Sequence, residues 1–413
     1  MALACLAAAG LYRLGTPHDF FDLKIYMRAM RWWAAGNPLY DYVQPDHVQG
    51  ELYFTYPPFA ALLLRPFAAL PLGVTAAIFT ALTLFAVVVT TLWLLDQTDF
   101  VAGRGRSPAW FVAGLAVALT LAVESIRETI NFGQINMLLV VLVLADLLFA
   151  VPRGSRWAGV GVGLATALKL FPGIFLVYLL AARRWRAAAV GGATTAAATL
   201  LSAALAPADS WRFWTRELWA TGRVGRTDYT GNQSLYGLLS RLWVPEEPNR
   251  LLWLTLVVAV AGYGLWRAAR AVRAGDALTG LTLAGLVGAL ISPITWPHHI
   301  YWFIPAVVVL LDTAQRTPRL PRRRLAARIA LAGLTYLGAV YGVVSYHDWG
   351  FAPEPTDSPM EFVLRNLYVL LALLLLATLP VRDRRTSPTS LKSAGRPAYV
   401  GLPGTDPRCG TTR

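Results

Sequence analysis

Two aspartates three positions apart, Asp19 and Asp22, stand in the stretch HDFFDLKIYMRAM at 18–30, just ahead of a helical pattern. A carboxylate in that place can accept hydrogen bonds from the free N–H groups of a first turn, or it can take a proton from a hydroxyl. Spacing leaves both roles open. Lys169, in ATALKLFPG, is surrounded by apolar residues, and a charge in hydrocarbon costs about 3 kcal/mol or more unless it reaches water or a partner. Pro172 and Gly173 beside it predict an opened backbone lining a cavity rather than a snorkelling helix end. His298 and His299, in SPITWPHHIYW, cannot both point the same way from one helix face. They serve either as interfacial residues of a Trp and Tyr belt or as donors to an anionic group. Neither has the Cys or carboxylate partners at the spacing a zinc site needs.

Polar segments elsewhere supply further candidates. The loop before GNQSLYGLL carries Arg212, Arg216, Arg223 and Arg226, whose charge suits a phosphate or carboxylate. Asn232, Gln233 and Ser234 either cap the helix that follows or recognise hydroxyls. ESIRETINFGQIN, at 124–136, reads as a polar loop running straight into an apolar helix.

The elements that must position these groups are membrane helices. With 56% hydrophobic and 15% charged residues in 413, the chain has more apolar surface than one soluble core would use. Apolar runs predict spans near 72–95, 108–123, 135–151, 187–206, 250–268, 277–291, 298–312, 329–345 and 362–380, several of them near the ~20 residues that cross a bilayer. The broken apolar stretch 156–183 predicts a hairpin of two half-length helices. Met1–Gly15 reads as a short first helix rather than a cleaved leader. The expected fold is therefore all-α and polytopic, with about 11–12 membrane segments in one domain over 1–385, and a disordered cytoplasmic tail over 386–413.

The net charge of +14 does not indicate nucleic acid, because the arginines lie in short loops between apolar runs. Loops at 104–106, 153–156, 183–186, 267–273, 316–328 and 382–385 fall on one face if the spans alternate, and that face is expected to be cytoplasmic. The candidate residues then share the other face. There the first outer loop, 16–71, carries an amphipathic helix from Asp22 to Ala35 with a basic side of Lys24, Arg28 and Arg31, suited to an interface. A second short helix is expected within 55–71. Cys5 and Cys409, at opposite ends, indicate neither a disulfide framework nor a metal site.

In this order DLKIY, GNPLYD, FTYPPFAALLL, NFGQINMLL, ATALKLFPG, GNQSLYGLL and SPITWPHH resemble the polyprenol-phosphate-mannose-dependent α-1,2-mannosyltransferases of glycosyltransferase family 87, which have the GT-C fold. The resemblance runs from about residue 16 to 302. It implies an extracytoplasmic active site, a plasma-membrane location and inverting transfer of mannose from a lipid monophosphate to a mannosylated glycolipid or lipoglycan. It also implies that Asp22, in the D-L-x-x-Y motif, is the base, with Asp19 outside the motif. Lys169, His298, His299, Arg223, Arg226, Asn232 and Gln233 become candidates for the donor phosphate and sugar. Tyr26, Tyr56, Gln134 and Asn136 become candidates for lining the substrate. No cofactor or metal is expected, the lipid-linked sugar being a substrate. Arabinofuranosyl transfer from decaprenyl-phosphate-arabinose is the rival within enzymes, and a lipid or sugar transporter the rival of another class.

Overall fold

The structure is a computed structural model, which describes residues 19–46, 50–100, 106–316, 321–344, 356 and 358–382. The expected first helix over 1–15 and the tail over 386–413 lie outside the described residues.

The segment ahead of the first long helix folds as its periodicity predicts. Helix α1 spans Phe21–Ala34 and buries Leu23, Met27 and Met30 completely, each worth roughly 1.5–3 kcal/mol when moved out of water. On its basic side Arg28 and Arg31 are exposed and also bonded to neighbouring parts of the same segment. Arg28 donates to Gln44 Oε1 at 3.0 Å, and Arg31 donates to the carbonyls of Ala68 and Leu70 at 3.1 Å. An antiparallel hairpin of β1 (Val43–Asp46) and β2 (Gly50–Tyr53) follows, pairing Val43 with Tyr53. Helix α2 (Pro58–Leu64) starts at a proline, where the missing N–H leaves no bond unmade, and continues as a tighter turn over Arg65–Ala69.

The bundle proper begins with α3 (Leu72–Asp96), apolar all round, as lipid contact requires. Its 25 residues reach about 38 Å at 1.5 Å per residue, enough to cross ~30 Å of hydrocarbon. Helix α9 (Trp185–Leu205) and α12 (Arg250–Arg273) are also long and apolar enough to span. Helix α4 (Arg106–Ala122) covers the span expected over 108–123 and then turns by 66° into α5 (Glu124–Phe132), whereas the span expected over 362–380 is itself broken, α16 (Pro359–Arg365) turning by 76° into α17 (Leu367–Thr378).

Between them lie α6 (Asn136–Ala145), which continues as a π-helical segment over Asp146–Ala150, and the predicted hairpin. The hairpin is α7 (Val160–Leu168) and α8 (Ile174–Ala181), separated by a turn at Phe171–Gly173. Helix α7 packs closely on α9 because Gly163 faces the backbone of Gly191, leaving no space for a Cβ.

The chain continues through α10 (Pro207–Thr215), α11 (Leu235–Trp243), α13 (Ala277–Ile291), α14 (Phe303–Arg316) and α15 (Arg322–Tyr341). Two sequence expectations change here. Residues 124–132 are a helix rather than a loop, because their polar groups find partners inside the protein: Glu124 accepts from the N–H groups of Val343 and Val344 near 3.0 Å and from Tyr368 Oη at 2.7 Å. The span expected over 298–312 starts later, at Phe303, because Pro297–His299 forms its own turn ahead of it.

Helix direction sorts the molecule into two ends. Asn136, Lys169, Ser292 and His299 lie at one end of their helices, and Arg153, Arg183, Arg273 and Arg316 at the other. At the basic end a buried ion network joins the helices. Arg382 reaches Asp276 at 2.6 Å and Asp312 at 2.7 Å, while Arg316 reaches Asp312 at 2.9 Å and Asp99 at 3.0 Å.

Candidate active site

The opening aspartates part company at once. Phe20 occupies the position ahead of α1 and donates its N–H to Asn131 O at 2.8 Å, so the helix starts against the end of α5. Asp19 is exposed and paired with Lys24. Asp22 lies in the first turn, where its charge complements the dipole. The N-cap is Phe20 rather than an aspartate, so capping does not account for Asp22. Its carboxylate instead accepts from the Gln134 amide.

Gln134 is placed by the end of α5. Gly133 adopts φ 68°, a left-handed C-terminal turn, and a Cβ there would meet Leu23 Cβ at 2.6 Å. This turn brings Gln134 beside α1 and starts α6 at Asn136. Gln134 Nε2 also donates to Tyr26 Oη at 2.9 Å, and its Oε1 accepts from Tyr56 Oη at 2.6 Å.

Lys169 enters from the break between α7 and α8, where the helix ends in extended backbone (φ −152°, ψ 127°). Its ammonium meets Asn136 Oδ1 at 3.0 Å, Tyr56 Oη at 3.2 Å and Gln134 Oε1 at 3.4 Å, and stands 4.9 Å from the Tyr56 ring centre. All these partners are neutral. Asn136 completes the frame by donating Nδ2 to the carbonyl of His298 at 3.0 Å.

The histidine rings stand nearly perpendicular, 4.6 Å apart. His299 stacks on Phe171 at 5.4 Å, and its Nδ1 accepts from the Trp296 N–H at 3.1 Å. In the neutral ring this fixes the proton on Nε2, which becomes a donor.

Two chambers border this cluster. One, of about 260 Å³, is walled by Lys169, Tyr56, Arg223, Glu217 and His299 among others. The second, of about 290 Å³, is walled by Asp22, Asp46, Tyr229, Trp296, Phe132 and His298 among others. A small space of about 30 Å³ lies against both histidines, Lys169 and Asn136.

Arg223 bonds Glu217 at 2.7 Å and the carbonyl of Tyr40 at 2.7 Å, and lies 3.8 Å over the Tyr53 ring. Burial pulls its guanidinium below the usual arginine value, and Glu217 pulls it back up. Part of the charge expected to await a substrate anion is thus balanced inside the protein. Arg212 likewise pairs with Asp41 and Glu217.

Several candidates fall elsewhere. Arg226 pairs with Asp228 at 2.6 Å and is absent from the chamber walls. Asn232 uses its amide on the carbonyls of Thr227 and Pro293 and accepts from Thr295 N, while Gln233 joins Thr230, Arg365 and Tyr368. Both fasten loops; neither reaches the chambers among the described residues. Ser234 caps α11 through Gly237 N at 3.0 Å. Tyr26 and Gln134 stand behind the walls rather than in them. Sequence reasoning missed Asp46, Tyr229 and Trp296. For Trp296 the signal was present, since it lies in the same short run as the histidines.

A helical bundle that sets a carboxylate and a lysine on either side of one amide, each beside its own chamber at the same end, has the parts of a membrane-embedded transferase. The model of glycosyltransferase family 87 matches residues 54–293, which leaves Asp22, His298 and His299 outside the matched segment. A polyprenol-phosphate-mannose-dependent alpha-(1-2)-phosphatidylinositol mannoside mannosyltransferase of Mycolicibacterium smegmatis is 35% identical over 333 residues, covering 76% of this chain and 75% of the relative. The Mycobacterium tuberculosis protein of the same name is 35% identical over 78% of this chain and 76% of its own. An alpha-(1->3)-arabinofuranosyltransferase of Mycobacterium tuberculosis is 31% identical over 63% of this chain and 58% of its own. No solved structure matches. The chain belongs to glycosyltransferase family 87 and is a multi-pass membrane glycosyltransferase, which sets the transporter reading aside.

Proposed function

We propose that this enzyme transfers mannose from a polyprenyl-phosphate donor to a hydroxyl of a mannosylated glycolipid such as a phosphatidylinositol mannoside, with inversion, on the face of the membrane away from the cytoplasm. The observation that carries the reading is that Asp22 and Lys169 flank one side chain, Gln134, and line separate chambers. The donor phosphate belongs with Lys169, Arg223 and the Nε2–H of His299; the acceptor belongs with Asp22, against Tyr229 and Trp296. Acceptor specificity is carried over from the relatives' names, and the outer face from the basic loops at the opposite end.

In the reaction, Asp22 takes the acceptor hydroxyl proton as that oxygen bonds to the sugar carbon. The bond from carbon to phosphate oxygen breaks, and the growing phosphate charge is met by groups already oriented. Phosphate leaves without a general acid, so one carboxylate suffices, and the reaction as proposed uses neither metal nor nucleotide.

Membranes containing the enzyme, supplied with radiolabelled polyprenyl-phosphate-mannose or the corresponding arabinofuranose donor and a phosphatidylinositol mannoside, test the reading. Label is expected to move from the mannose donor. Transfer from the arabinose donor alone would replace mannose with arabinose, a reading the arabinofuranosyl relatives make specific.

A further inference from the structure

Gln134 is 3% exposed and lines none of the three spaces described above, yet both ends of its amide are directed at site residues. Its nitrogen serves the Asp22 carboxylate and Tyr26 Oη; its oxygen serves Tyr56 Oη and Lys169 Nζ. The orientation is forced by chemistry. An ionised carboxylate only accepts and an ammonium only donates, so the NH₂ must face Asp22 and the oxygen must face Lys169.

We propose, on the basis of the transfer reaction above, that Gln134 is a positioning residue that holds the base and the phosphate-binding cation apart and in register. Opposite charges this near one another in a poorly solvated site attract strongly. Direct pairing would occupy the carboxylate lone pairs needed for the acceptor proton and the ammonium needed for phosphate. The amide accommodates both charges without neutralising either. Tyr26 and Tyr56, fully packed with rings 4.8 Å apart, keep it from rotating.

The test uses the full chain in proteoliposomes, with Gln134→Met and Gln134→Glu compared to wild type over a pH series at saturating acceptor. Each variant's thermal unfolding is followed in parallel. Gln134→Met is expected to lower kcat by about tenfold or more, since misplacing reacting groups by ~1 Å can cost up to 10²-fold. Gln134→Glu is expected to move the acid limb of the kcat profile upward by about one unit, because two adjacent carboxylates raise one of their pKa values. Its activity should recover partly as pH rises. Folded variants with wild-type kcat and an unmoved acid limb would overturn the proposal. A proportional loss in both variants with no change of profile would also overturn it, leaving only a packing role. The profiles are read with whichever lipid-linked sugar the wild type transfers. A wrong choice of sugar therefore shows in the wild type, and a wrong role for Gln134 shows in the variants.

Discussion

Two buried cations at opposite ends of the molecule, Arg382 and Lys169, are partnered in opposite ways. At the basic end Arg382 lies between Asp276 and Asp312, with all three side chains nearly inaccessible and each charge matched by another. At the other end Lys169 meets three neutral oxygens, from Tyr56, Gln134 and Asn136. On the proposed mechanism the matched cluster fastens helices, and Lys169 is the cation left to meet a ligand.

Breaking each end should give different losses. The largest effect is expected from Asp22→Asn, which should lower turnover by about 10²–10⁴-fold, the usual worth of a general base, with the fold retained. Rates of label transfer in membranes, normalised to folded protein, measure it. Lys169→Met should lower turnover by about 10²–10³-fold, the scale of losing one donor to a developing anion, and should raise the KM for the donor. At the basic end, Arg382→Leu should act on stability instead. Stranding the Asp276 and Asp312 carboxylates should cost about 3–5 kcal/mol, as breaking buried pairs does, read as a lower unfolding midpoint in detergent. Transfer per folded molecule should stay near wild type. The smallest effect is expected from Arg226→Ala, whose partly exposed pair with Asp228 is worth about 0–1 kcal/mol. A large loss of transfer there would return Arg226 to the site.

What the sequence made legible follows from the same physics. A lysine inside an apolar run, next to Pro172 and Gly173, has few explanations, and the break between α7 and α8 is where the pattern put it. The periodicity of Leu23, Met27 and Met30 specified α1 for the same reason. Helix α5 was hidden because its polar groups, Glu124 foremost, are bonded to distant residues 343, 344 and 368, and no local pattern shows that. The loop-fastening bonds of Asn232 and Gln233 were hidden for a related reason. A polar side chain beside a membrane helix reads the same whether it holds a substrate or another loop, and only the partners at Pro293, Thr295 and Arg365 decide. The β hairpin that carries Asp46 to the second chamber also escaped, since VQPD and GELY lack a strand's alternation.

The division of labour between the chambers is tested most directly by the affinity of the lipid-phosphate donor, measured side by side on wild type, Asp22→Asn and Lys169→Met by displacement of radiolabelled donor. The account predicts near wild-type donor affinity for Asp22→Asn and a strong loss for Lys169→Met. Loss of donor affinity in Asp22→Asn with none in Lys169→Met would contradict it.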